Sequence, residues 1–130
     1  AEKEELGILV FDATTAPATY IAENGEMVAK FLAVTAKANA MWADEANHAT
    51  MLPVIAKDAG MSEEDTMSTL STFKFPTVED QLSDKWLEGR AQDFMKGVAG
   101  VFVEAGSIPS ALDSYAGTVN IGPLQAAKDM

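Results

Sequence analysis

The stretch that decides the predicted fold is LGILVF, residues 6–11, an uninterrupted apolar run that stops at Asp12. Branched and aromatic apolar residues without polar alternation are typical of a strand that is buried on both faces of a sheet. We therefore predict a β-strand here. An extended connector should follow, because Pro17 disfavours helix at Ala16 and cannot donate a hydrogen bond to a strand ladder.

Most of the remaining chain has the spacing of helices, with apolar residues recurring every three or four positions. Capping residues, prolines and glycines set the expected ends of these segments. We predict helices from Glu26 through Trp42, from Thr50 to Ala59, from Ser62 to Leu70, from Thr77 to near Ser83, and from Ala91 to Ala105. We expect one more turn from Leu112 to Tyr115 and a break at residues 121–123, where the sequence is Ile-Gly-Pro, followed by a short mobile tail.

Composition restricts the classes of function. The chain has 130 residues, a net charge of -11, 48% apolar residues and no cysteine. The length suits one domain. The acidic charge argues against nucleic-acid and anionic-membrane binding, both of which need a basic surface. Without cysteine there is no disulfide, thiolate metal site or thiol nucleophile.

A single buried strand cannot stand alone, because its unpaired backbone N–H and C=O groups would be costly in a dry interior. We therefore expect an α/β fold that is mostly helical and incomplete in this chain. Residues 1–16 would form the strand and a crossover between lobes, and residues 17–130 a helical portion. The strand would pair either with a symmetry mate or with polypeptide outside this chain.

Catalytic and metal chemistry find little support in the sequence. His48 is the single histidine, and Asp44 and Glu45 precede it by four and three positions, so one helix face could hold all three. A turn between helices explains this spacing more simply, and a catalytic zinc site usually has a second imidazole. No serine or threonine has a base in a recognisable motif. We predict no enzyme activity, no metal and no cofactor.

Asp12 is the candidate ligand-binding residue. A carboxylate at the end of a strand lies beside the crevice where open α/β sheets bind ligands, and it would suit a ligand ammonium group. The alternative is a turn aspartate that accepts hydrogen bonds from the backbone of Thr14 or Thr15.

Three stretches resemble the C-terminal part of the periplasmic taurine-binding proteins, in the nitrate/sulfonate/taurine-binding group. The first is VFDA at 10–13, followed by a helix leading to Met27–Phe31. The second is the segment from Leu52 to Gly60 that runs into the SEED sequence at 62–65. The third is VEAGSIP at 103–109 with DSY at 113–115. The likeness is collinear over nearly the whole chain.

This resemblance implies the C-terminal portion of a two-lobe periplasmic binding protein-like (type II) fold, the solute receptor of an ABC importer. It implies that Asp12 takes the amino group of taurine or a related sulfonate, and that the protein closes by a hinge and docks on a membrane permease. Thr14 stands where the family has tryptophan after Phe-Asp-Ala, and we include it as a ligand-binding candidate. The N-terminal half of the receptor would supply the sulfonate donors.

A second class of function remains open, an acidic helical module that binds a partner protein and no small molecule. Such a module would melt cooperatively by itself at low concentration. The receptor hypothesis instead predicts exposed apolar surface, with self-association or poor stability of the chain alone.

Overall fold

The computed structural model describes residues 10–130, which are 64% helical and contain no strand. Seven α-helices lie in this part of the chain: α1 (Ala18–Glu23), α2 (Gly25–Ala43), α3 (His48–Ala59), α4 (Glu63–Leu70), α5 (Val78–Gln81), α6 (Arg90–Glu104) and α7 (Gly122–Lys128). Two short 3₁₀ helices, Glu45–Asn47 and Ala116–Thr118, precede α3 and α7.

The predicted α/β type II binding-protein fold is wrong, because the described residues form a small all-helical structure. Residues 6–9 of the expected strand lie outside the described residues. Val10 and Phe11 are described and belong to no strand. An apolar run specifies a strand only when a neighbouring strand pairs with it, and the described part of the chain offers none. Phe11 instead packs its ring against aromatic side chains from another part of the chain.

The predicted long helix is confirmed as α2, and several predicted caps form as well. Ser62 accepts a hydrogen bond from the backbone N–H of Asp65 at 3.1 Å, and Thr77 accepts one from Asp80 at 3.1 Å. These contacts satisfy two of the otherwise free N–H groups at the starts of α4 and α5. Gly60 ends α3 at φ 67°, a left-handed conformation that glycine adopts without steric cost.

Two helices were missed because a proline begins each of them. Pro17 precedes α1, where an extended connector was expected, and Pro123 lies in the first turn of α7. Proline is favoured at these positions because its fixed φ suits the helix and its missing N–H has no partner to lose. The prediction of a mobile tail is therefore wrong from Gly122 to Lys128.

The start of α3 also differs from the prediction. The helix begins at His48, so that Thr50 lies inside its first turn and does not cap it. Pro53 therefore follows the first turn and interrupts the hydrogen bonds of the helix interior.

The most extensive helix packing joins α2 to α7, and smaller contacts join α3 to α4 and α1 to α2. The side of α2 that carries Ala29 and the side of α7 that carries Leu124 and Ala127 are buried. Lys128 of α7 forms an ion pair with Glu79 of α5, with Nζ and Oε1 at 3.4 Å. A hydrogen bond from its own backbone N–H, and then the hydrogen bond and charge of Lys128, lower the pKa of the Glu79 carboxyl.

The core of the described structure is small. Its buried apolar residues are five alanines and one leucine: Ala29, Ala56, Ala91, Ala99, Leu124 and Ala127. The chain exposes 9390 Å², whereas a compact monomer of this mass exposes about 6,600 Å². Residues 1–9 could contribute at most about 1,400 Å² to the exposed area of the chain. The exposed area still exceeds that of a compact monomer after this contribution is subtracted. Much apolar surface is therefore left uncovered.

We predict that Leu124→Ala destabilises the chain by about 2–4 kcal/mol, because it empties the one large buried side chain between α7 and α2. Leu124 is 6% exposed, and Leu112, 55% exposed, provides the control. Leu112→Ala should change stability by no more than about 0.5 kcal/mol. Urea unfolding followed by circular dichroism at one fixed protein concentration measures both. Equal effects of the two variants would contradict the packing of α7 on α2.

Candidate functional site

Phe11 fixes the segment that carries the candidate ligand-binding residues. Its half-buried ring meets Trp86 edge to face, with ring centroids 6.5 Å apart, and meets Phe94 of α6 at 5.8 Å. Such edge-to-face pairs contribute about 0.5–1.5 kcal/mol beyond the apolar area they bury. The aromatic cluster, Phe11, Trp86 and Phe94, therefore anchors the chain one residue before Asp12.

Asp12 and Thr14 are both exposed. Within residues 10–130, no hydrogen bond or ion pair engages the Asp12 carboxylate. The alternative of a turn aspartate bonded to the backbone of Thr14 or Thr15 is therefore wrong. The expected crevice at a sheet edge has no counterpart in the described residues, so the structure places the two candidates near the aromatic cluster but encloses neither.

Two open grooves lie on a different part of the surface. One, of about 370 Å³, runs between α1 and α7 and is lined by residues including Ile21, Gly25, Asn120 and Pro123. The other, of about 400 Å³, is lined by residues including Met27 and Lys30 on α2. Asp12 and Thr14 line neither groove. Both grooves are open to solvent, whereas ligand sites are usually more enclosed and hold convergent polar groups.

His48 contacts the C-terminal end of α2. Its ring stacks on Trp42, with centroids 4.0 Å apart and planes 17° apart, and its Nε2 lies 2.8 Å from the backbone oxygen of Trp42. Because a carbonyl oxygen only accepts, Nε2 carries the hydrogen and donates it. Asn47 donates from Nδ2 to the oxygen of Met41 at 2.9 Å. The histidine gives the Trp42 carbonyl at the helix end a partner, and Asn47 adds to the hydrogen bond that the Met41 carbonyl accepts from the backbone N–H of Asp44.

The acidic neighbours of His48 have a local structural role of their own. Asp44 accepts a hydrogen bond from the backbone N–H of Ala46 at 3.1 Å and caps the 3₁₀ helix Glu45–Asn47. No cluster of three potential metal-ligating side chains occurs among residues 10–130. His48, Asp44 and Glu45 are thus accounted for by the junction between α2 and α3.

Trp86 is the residue that sequence reasoning missed. Phe94 lies within the helix predicted from Ala91 to Ala105, but Trp86 lies in a turn after α5 and belongs to no periodic segment. Its contact with Phe11 spans 75 positions of sequence, and no local pattern marks a contact at that separation.

Between Val10 and Met130, no helix combines the length and the apolar character needed to cross a bilayer. No protein-family model, no curated protein and no solved structure matches this chain.

We predict that His48→Ala destabilises the chain by about 1–2 kcal/mol, because it removes a hydrogen bond and the stacking on Trp42. The emission of Trp42 should also shift. Glu45→Ala, an exposed substitution in the same junction, is the control and should change stability little. Unfolding curves and tryptophan fluorescence measure these effects. An unchanged unfolding curve for His48→Ala would show that the junction does not depend on the histidine.

Proposed function

We propose that this chain acts in the solute receptor of an ABC importer, with taurine or a related sulfonate as its ligand. The observation that carries the proposal is the uncovered apolar surface. The chain exposes 9390 Å², which exceeds the area of a compact monomer of its mass even after residues 1–9 are discounted. Helices that belong to a larger receptor need apolar cover from the rest of it, and residues 10–130 do not provide that cover.

The composition of the core supports the same proposal. The described helices bury alanines and one leucine, while Phe31, Val101 and Phe102 are at least half exposed. A self-sufficient bundle buries its largest apolar side chains first, since they gain most from leaving water. The proposal therefore assigns these side chains to interfaces with the remainder of the receptor.

Asp12 would receive the amino group of the solute, and Thr14 would donate or accept a hydrogen bond two residues further along. An exposed carboxylate without a partner is available to a ligand ammonium group, and a hydrogen bond to a charged group contributes about 1.5–3 kcal/mol. The aromatic cluster would hold this segment at a fixed distance from α6. The sulfonate would be bound by donors from the remainder of the receptor.

The receptor would work by closing on its solute. A ligand favours closure only by the free energy of contacts that the open form lacks. In this proposal, closure brings the solute to the segment that Phe11 anchors, so the contact between Asp12 and the ammonium group forms only in the closed receptor. The closed receptor would then dock on a membrane permease, which implies a periplasmic location.

An acidic helical module that binds a partner protein is the second candidate. The all-helical structure of residues 10–130 favours it, and the same uncovered apolar surface would then be its binding face. The two candidates differ in whether a small amino-sulfonate binds at all.

The test uses the product of the complete open reading frame that contains these residues, titrated with taurine by calorimetry. Asp12→Ala should weaken binding by about 1.5–3 kcal/mol, which is a factor of roughly 10 to 150. Asp58→Ala is the matched control, because Asp58 is also exposed and the described residues give it no hydrogen bond or ion pair.

The absence of taurine binding would contradict the receptor function and leave the interaction module. Binding that is weakened equally by both variants, or by neither, would remove Asp12 from the site.

A further inference from the structure

Helix α2 carries an exposed apolar stripe that α7 does not cover. It consists of Met27, Phe31, Val34, Ala38 and Met41, which we call the α2 seam. Its larger side chains are 58%, 57%, 69% and 43% exposed in chain order, and Ala38 is exposed as well. Ala29, which is packed away from water, lies on the opposite side of the helix.

The spacing of the α2 seam is four, three, four and three residues. This alternation is the spacing of the apolar residues along the seam of a two-helix coiled coil. Such a seam is narrower than the apolar stripe by which a helix packs on a globular core. Exposed polar residues border it, with Lys30 and Lys37 on one side and Thr35 on the other. The geometry suits a single partner helix.

We propose that the α2 seam binds the α2 seam of a second copy of this chain, in a parallel two-fold dimer. The seam is about 21 Å long at 1.5 Å per residue. The side chains of the seam are exposed along this whole length, so two copies would each gain by covering the apolar surface of the other.

Charge favours association through α2. The chain carries a net charge of -11, and two copies repel each other over most of their surface. Helix α2 is an exception, since it contains Glu26, Lys30 and Lys37 as its only charged residues. Lys30 pairs with Glu26 at 2.6 Å, which leaves Lys37 as the uncompensated charge of the helix. Two copies therefore meet with least repulsion along this helix.

The lysines also select the parallel orientation. In an antiparallel pair, residues on the same side of both seams face each other, so that Lys37 would meet Lys30 or Lys37 of the second copy. In a parallel pair, opposite sides meet. Lys30 then lies near Thr35 of the second copy, and Lys37 near Trp42 of the second copy, where the indole attracts the cation.

This inference does not rest on the proposed transport function. Other uncovered residues, Val101 and Phe102 on α6, lie outside the α2 seam and stay available to the remainder of a receptor.

Engineered cysteines test the orientation, because the chain has no cysteine of its own. Met27→Cys and Met41→Cys are oxidised separately. A parallel seam brings equivalent residues together, within the 4.4–6.8 Å between Cα atoms that a disulfide requires. Each variant should therefore form a disulfide-linked dimer. Ala43→Cys, exposed on the other side of the same helix, is the matched control and should stay monomeric on denaturing gels.

Sedimentation tests the seam without cross-linking, in at least 150 mM salt to screen the acidic charge. The chain of 13.8 kDa should sediment at twice that mass, about 28 kDa, and Val34→Glu should return it to the monomer mass. Val34 is 69% exposed, so the helical circular dichroism should persist in the variant.

Three results would overturn the inference. The first is a monomer with no cross-link at Met27 or Met41, and the second is cross-linking at Ala43 as efficient as at those positions. The third is a dimer whose mass Val34→Glu leaves unchanged. Taurine binding is measured separately, so its loss or retention does not affect this test.

Discussion

The contact between α2 and α7 is the most extensive helix packing in the described structure, and it decides which side of α2 is buried. Small side chains on α2 let the backbone of α7 approach, and Leu124 and Ala127 fill the space between the two helices. The α2 seam points away from this contact. A helix that packs on one side only buries only that side, and residues 10–130 provide no second layer of helices over the seam. The lack of a second layer of helices explains both the alanine-rich core and the large exposed area.

The uncovered apolar surface also bears on function. Proteins rarely leave apolar side chains as large as Phe31 and Phe102 half exposed without an interaction that uses them. We assign different partners to two of the exposed apolar surfaces. A narrow seam with coiled-coil spacing suits a second copy, whereas the exposed side chains of α6 and the anchored segment before Asp12 would, under the proposed function, contact the body of a receptor. The acidic remainder of the surface keeps unwanted contacts weak by mutual repulsion.

Local patterns predicted much of the helical structure. Helix α2 follows from its periodicity, and Ser62, Thr77 and Gly60 cap or end helices as their side chains and backbone freedom require. Pro17 and Pro123 predict breaks, but proline both stops and starts helices, and packing helps to decide between the two. For Pro123, the burial of α7 against α2 favours the helix.

The candidate site was less predictable than the helices. Asp12 was placed at a sheet edge because the apolar run before it has strand character, but its surroundings depend on Phe11 meeting Trp86 across a long stretch of chain. The role of His48 could not be predicted for a related reason. His48 donates a hydrogen bond to the backbone of Trp42 and stacks on its ring. The spacing of residues in the sequence does not distinguish an imidazole that caps a helix from one that binds a metal.

The central claim is that this chain depends on cover from outside itself for its stability. Thermal unfolding followed by circular dichroism, at protein concentrations from about 1 to 100 µM, tests it most directly. The account predicts a midpoint that rises with concentration, because association stabilises the folded form by mass action. A cooperative transition with the same midpoint at every concentration would contradict the account, since a self-sufficient globule behaves in that way.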